Sequence, residues 1–218
     1  MPVRITSAME ARRAELINGL TVATSDAMTA AGMEPIQAMA SAVAILDALT
    51  DAWSGNNLMF PSERRRQDLA RNSEIRAAFT GFNTLELSRR FGLSERRIRV
   101  ILVAAPQSEE SGTHMELIQH AIDIARSVLA RRGVAQSPTD AAAREVVNYL
   151  GSKWGGSQVS FPIRYRTWIA ERDARALALF DGTNLHAVAQ ELGVRDDNAQ
   201  HMVDRARARL LKPTQMRA

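Results

Sequence analysis

The chain contains no cysteine, which removes disulfide frameworks, thiolate nucleophiles and cysteine-ligated zinc together. That agrees with a reducing compartment. No apolar run approaches the roughly 20 residues that cross a bilayer, and the N-terminal stretch MPVRITSAMEARRAE lacks the apolar centre of a signal peptide. The expectation is a cytoplasmic protein with no membrane partner. Histidine is scarce, and His114, His120, His186 and His201 show no metal-ligand spacing; His114 and His120 in particular are not the i, i+4 pair of a zinc helix. Carboxylates are scattered along helical stretches without forming a pair suited to acid–base work. No glycine-rich phosphate loop follows a strand, and WGGS at Trp154 is too short and precedes one. No catalytic residue, metal or cofactor is expected.

Lysine is nearly missing as well. Only Lys153 and Lys212 occur, so the net charge of +4 is carried by arginine. The arginine fork donates two parallel hydrogen bonds and suits phosphates and guanine edges. A GC-rich genome also writes arginine for lysine whatever the function, so position has to decide between the two. The 45% of hydrophobic and 24% of charged residues are ordinary for a packed soluble chain.

What is present is a repeat. WSGNNLMFP begins at Trp53 and WGGSQVSFP at Trp154, 101 residues later. The same shift carries Glu15, Leu16 and Ile17 onto Glu116, Leu117 and Ile118, and Gly32 onto Gly133. It also carries Phe79, Gly81, Asn83 and Gly92 onto Phe180, Gly182, Asn184 and Gly193. No gap is needed, and chance does not hold glycine, proline and tryptophan in one register over such a length, so the chain reads as two copies of one domain. The spacing predicts copies over 1–104 and 115–218, with APQSEESGTH (105–114) as linker.

Each copy reads alike. Two helices are expected over 8–53 and over 115–154, broken at Gly32 and Gly133, where a glycine C-cap fits. Strands follow over 56–60 and 157–161, where Leu58 and Phe60, or Val159 and Phe161, alternate with polar neighbours before Pro61 or Pro162. A strand this short needs a partner from elsewhere, and the other copy supplies the obvious one. The fold class is therefore mainly α: two tandem helical domains, a two-stranded antiparallel ribbon between them, and a C-terminal helix-turn-helix in each.

The helix-turn-helix is expected over 84–103 and 185–204. In TLELSRRFGLSERRIRVILV, Leu87, Phe91, Leu93, Ile98 and Ile101 take core positions, Gly92 makes the bend and Ser94 caps the second helix. The face left over is Ser94, Glu95, Arg96, Arg97, Arg99, Val100 and Val103, the side that would enter a major groove. Arg64, Arg65, Arg66 and Arg71 stand upstream, where phosphate contacts could position the module. From Ser62 to Val103 there are ten arginines against five acids, a clustering that matches an electrostatic footprint better than a generic solvated face. The second copy keeps the scaffold and changes the surface to Arg195, Asp196, Asp197, Asn198, Gln200, His201 and Asp204. Aspartates repel phosphate, although Asn and Gln read adenine, so this copy either reads another sequence or has lost most of its affinity for DNA. Its cations lie downstream, at Arg205, Arg207, Arg209 and Lys212, where they would face the DNA backbone.

This order of elements resembles the Mor/C family, the middle and late gene activators of Mu-like phages. The resemblance is carried by Gly55, Asn57, Leu58, Phe60, Pro61, Arg71, Phe79, Gly81, Asn83 and Gly92 in copy one. In copy two it is carried by Gly155, Gly156, Gln158, Val159, Phe161, Pro162, Arg172, Phe180, Gly182, Asn184 and Gly193. Such proteins are homodimers whose N-terminal helices and strands form the shared core, while two helix-turn-helix units read adjacent major grooves of double-stranded DNA and the protein contacts RNA polymerase holoenzyme. The resemblance implies that Asn57, Met59, Gln158 and Ser160 lie on a central ribbon near the DNA backbone or minor groove, with Arg96, Arg97 and Arg99 in the major groove. This chain departs in fusing both copies, which suggests a single-chain pseudo-dimer, and in its acidic second recognition helix, which suggests an asymmetric site.

Three readings stay open at this level: a sequence-specific transcription activator, a protein-binding anti-activator, and an accessory DNA-binding factor for excision or recombination. Whether the fused chain associates with itself again is likewise open.

Overall fold

A computed structural model describes residues 7–60, 62–103 and 110–211, with the backbone alone at 7, 63–66, 69 and 110–116. Pro61 and the first part of the expected linker lie outside the described residues.

Four helices make the body. In copy one α1 (Ser7–Ala30) and α2 (Pro35–Ala52) form a hairpin; in copy two the equivalent pair is Glu110–Arg131 and Gln136–Ser152, here α6 and α7. Helix α6 thus begins inside the stretch read from sequence as linker. Each hairpin packs on itself, and the two cross-pack, α1 on α7 and α2 on α6. Helix α1 is consequently covered on several sides, burying Leu16, Ile17, Leu20 and Met28 together with Thr21 and Thr24. The two threonines are tolerated because their hydroxyls donate to the carbonyls of Ile17 and Leu20 one turn back, at 2.8 and 2.7 Å. The hairpins interlock at Gly19, where an added Cβ would fall 1.8 Å from the Tyr149 hydroxyl of α7.

Strands β1 (Asn57–Met59) and β2 (Gln158–Ser160) pair antiparallel in the register Asn57↔Ser160, Leu58↔Val159, Met59↔Gln158. Flanking bonds extend the ladder on both sides: Gly55 N–H to Phe161 C=O at 3.0 Å and Gly156 N–H to Phe60 C=O at 2.7 Å. These two bonds are related by the same 101-residue shift as the sequence, so a pseudo-twofold axis runs through the centre of the ribbon. Beneath it Trp53, Phe60, Phe161 and Tyr165 form a chain of ring contacts with centroids 5.3–6.1 Å apart, edge-on or tilted as aromatic quadrupoles prefer.

After each strand comes a three-helix head. The first comprises α3 (Glu63–Ala77), α4 (Thr84–Phe91) and α5 (Glu95–Val103), around a small core of Ile75, Leu87, Ile98 and Ile101. The second comprises α8 (Tyr165–Leu179), α9 (Leu185–Leu192) and α10 (Asp196–Leu210), around Ala176, Val188, Ala189, Ala199, Met202 and Val203. The bend of each helix-turn-helix is made at Gly92 and Gly193, with φ of 64° and 63°, a left-handed conformation that a side chain disfavours. The helix entering that unit is set by one asparagine. The Asn83 side chain accepts from Thr80 N–H and donates to Ala78 C=O, both at 3.0 Å, and Asn184 repeats this with Asp181 and Leu179. The F-x-G-x-N phrase therefore encodes a clamp on the turn.

Candidate nucleic-acid interface

On α5 the spacing of buried residues decides which side chains are free. Ile98 and Ile101 face the head's core, so Arg96, Arg97, Arg99, Val100 and Val103 emerge on the other side, exposed. Ser94 closes the first turn, its hydroxyl oxygen accepting from Arg97 N–H at 3.2 Å, which satisfies one of the donors that a helix start leaves free. Glu95 receives the Arg99 guanidinium at 3.2 Å, an exposed pair of small energetic weight that still fixes the fork's direction. Arg89 and Arg90 of α4 are exposed on the same head, extending the cationic surface beyond the recognition helix. Arg71 is half-buried and donates to Asp68 at 2.8 Å, so it is braced within α3. The side chains of Arg64, Arg65 and Arg66 lie outside the described residues.

The ribbon presents Asn57, Met59 and Gln158 to solvent, with Ser160 half-buried. Leu58 and Val159 point inward, as period-two alternation requires. The carbonyl of Ser160 accepts from the buried Arg13 guanidinium at 2.5 Å, which fastens the ribbon to α1.

The second head is arranged otherwise. Arg195, Asp196 and Asp197 are exposed, and Gln200 and His201 are half-buried. Arg195 pairs with Asp197 at 3.1 Å. Burial and then the nearby Arg205 charge lower the His201 pKa, which favours the neutral imidazole. Asn198 is turned toward the body, where its carbonyl oxygen accepts from the Asn18 amide at 2.7 Å.

Arg205 corrects the sequence reading. It is buried, with both ends of its fork on Asp173 at 2.9 and 2.6 Å and a further bond to Asn18, so no phosphate reaches it. Arg209 is likewise engaged internally with Asp47 and Asp173, at 2.7 and 2.6 Å. Arg207 lies over the Phe180 ring at 5.3 Å, and Lys212 lies outside the described residues. Of the downstream cations of copy two, Arg205 and Arg209 are thus held by carboxylates within the protein, while Arg207 is exposed.

The sequence profile of the Mor transcription activator family matches this chain twice, over residues 11–117 and 112–217. The chain belongs to the Mor transcription activator family. It carries two Mor domains in tandem, and the family is one of transcription regulators rather than an enzyme class. No curated protein and no solved structure matches the chain. Among the described residues no helix of this tandem Mor protein is long and apolar enough to cross a membrane.

Sequence reasoning missed Asn18, Asp47 and Asp173. Their one signal was chemical: three polar side chains standing at positions where helical periodicity calls for apolar ones.

Proposed function

We propose that this chain is a sequence-specific DNA-binding transcription activator that acts as a single-chain pseudo-dimer and helps recruit RNA polymerase. The observation that supports this best is the exposed arginine face of α5, presented by a helix-turn-helix within a Mor domain. Arg96, Arg97 and Arg99 enter the major groove, with the ribbon residues Asn57, Met59 and Gln158 beside the backbone or minor groove. The pseudo-twofold ribbon supports the pseudo-dimer, because it makes within one chain the junction that two chains would otherwise have to form. Titration of promoter DNA drawn from the neighbouring genes, at several salt concentrations, tests the reading. Affinity is expected to fall steeply as salt rises, since each neutralised phosphate releases a counterion. Absence of binding at about 50 mM salt, or binding indifferent to Arg96→Ala with Arg97→Ala, overturns it.

A further inference from the structure

The two heads are not attached to the body in the same way. Among the described residues no helix of the first head packs on the four body helices beyond incidental contact, whereas α10 lies along α2 and reaches α1. The attachment is a continuous polar chain: Asp47–Arg209–Asp173–Arg205–Asn18–Asn198. Arg209 grips Asp47 of α2 through two nitrogens and reaches Asp173 of α8 with a third. Arg205 grips the same Asp173 through two nitrogens and donates to Asn18 of α1, and Asn18 in turn donates to Asn198. Two arginines balance two aspartates. Asp173 is 1% exposed and Arg205 6%, so the charges are withdrawn from water and paired with good geometry, the condition under which a buried ion pair holds one arrangement and penalises its disruption.

The chain writes this arrangement once. Shifted by 101 residues, Asp173 becomes Asn72, Arg205 becomes Ala104, Arg209 becomes Ser108, Asn18 becomes Gln119 and Asp47 becomes Asn148. Apolar support changes in step: Tyr165 and Ile169, which join the body's core from α8, become Arg64 and Asp68. One consequence is visible in the first head, where the Asn72 side-chain oxygen, at the position of the Asp173 carboxylate, is buried without a hydrogen-bond partner. Duplication was therefore followed by divergence of every position in the attachment, on both sides of the contact.

We propose that the second head is an anchored platform and not a reader, and that the fused protein engages DNA through the first head and the ribbon alone. This rests on the DNA-binding reading above. Two features of α10 support it. The inward edge of its N-terminal half is held against α1, with Asn198 bonded to Asn18 at 2.7 Å, and the cleft beside that contact is bordered on the α1 side by Glu10 and Glu15. Asp197 borders the same cleft and Asp196 stands exposed beside it, and both carboxylates repel phosphate. The consequence is a binding site of one major-groove element flanked by ribbon contacts, without a second element one helical turn away.

The absence of cysteine gives the test a clean background. In the full chain, Glu15→Cys with His201→Cys, two positions that border the cleft from α1 and α10 and lie outside the polar chain, is joined by a bis-maleimide, locking α10 to α1. Rapid and nearly complete cross-linking, with DNA affinity within about twofold of the unlinked protein and one protected major-groove segment, is the expected result. Slow or negligible cross-linking shows that the head is not held on α1 and overturns the anchor. Loss of DNA binding on cross-linking, or two protected segments about 10 base pairs apart that collapse to one in Gln200→Ala with Arg195→Ala, shows that the second head reads DNA and overturns the single-reader proposal. DNA binding by neither form overturns the function proposed above and the single-reader proposal with it; the cross-link yield still judges the anchor.

Discussion

Leu58 faces Val159, its own counterpart in the second copy, at the centre of the antiparallel ribbon. Every pairing on either side is then repeated by symmetry, and the inward pair closes over the aromatic layer of Trp53, Phe60 and Phe161. The ribbon is the most symmetric part of the molecule. The heads it joins are the least symmetric, and the predictions below use that contrast.

Arg96→Ala with Arg97→Ala is expected to weaken DNA binding without altering the fold. Both side chains are exposed, so the melting temperature stays within a degree or two. Each lost base contact costs about 1–3 kcal/mol of discrimination, and each lost phosphate contact lowers the slope of affinity against salt by about 0.9. Fluorescence anisotropy at three salt concentrations separates the two roles.

Asp173→Asn removes the acid shared by Arg205 and Arg209 and leaves a buried guanidinium short of a counter-charge. A loss of about 3–5 kcal/mol is expected from urea unfolding. The equivalent position in copy one is already Asn72, so Asn72→Ala is expected to cost far less. Equal losses at the two sites would refute the asymmetry.

Asn83→Ala and Asn184→Ala delete the same pair of side-chain to backbone bonds from equivalent turns. Each is expected to cost about 1–3 kcal/mol, at roughly 0.5–1.5 kcal/mol per bond. Because Asn83 belongs to the head with the smaller core, hydrogen exchange is expected to rise throughout α4 and α5 in Asn83→Ala and to stay confined near the turn in Asn184→Ala.

His201 is expected to titrate below the ordinary value of 6.5, since burial, and next the Arg205 charge, disfavour the imidazolium. The unfolded chain takes up this proton near pH 6.5 while the folded chain resists it, so this residue's contribution to stability declines as pH falls through that value. An NMR titration gives the midpoint directly. In His201→Gln the loss of stability between pH 7 and pH 5 is expected to be smaller.

Much of the architecture was legible in the chain because it is periodic or repeated. Alternation around Leu58 and Val159 marked the strands, glycines and apolar spacing marked the helix-turn-helix, and the 101-residue shift marked the tandem arrangement. The basic face of α5 was legible for the same reason, since assigning Ile98 and Ile101 to the core leaves Arg96, Arg97 and Arg99 outside. Arg205 and Arg209 defeated this reasoning. A basic residue late in a recognition helix has the same local signature whether it meets a phosphate or a carboxylate, and the carboxylate here is Asp47, 162 residues away.

By itself the sequence determined what local spacing controls: two copies, their helices and strands, the turn at Gly92 and Gly193, and which recognition helix is basic. Only the tertiary structure decided which charges remain available. Asn18, Asp47, Asp173, Arg205 and Arg209 come from four different helices, and none of them identifies its partner from its own neighbourhood. The apolar spacing around Asn18, Asp47 and Asp173 marks only that something polar is buried there; they become an anchor with Arg205 and Arg209 because packing brings them together and excludes water, and the energy of a charge depends on the partners and dielectric around it, which no local pattern encodes.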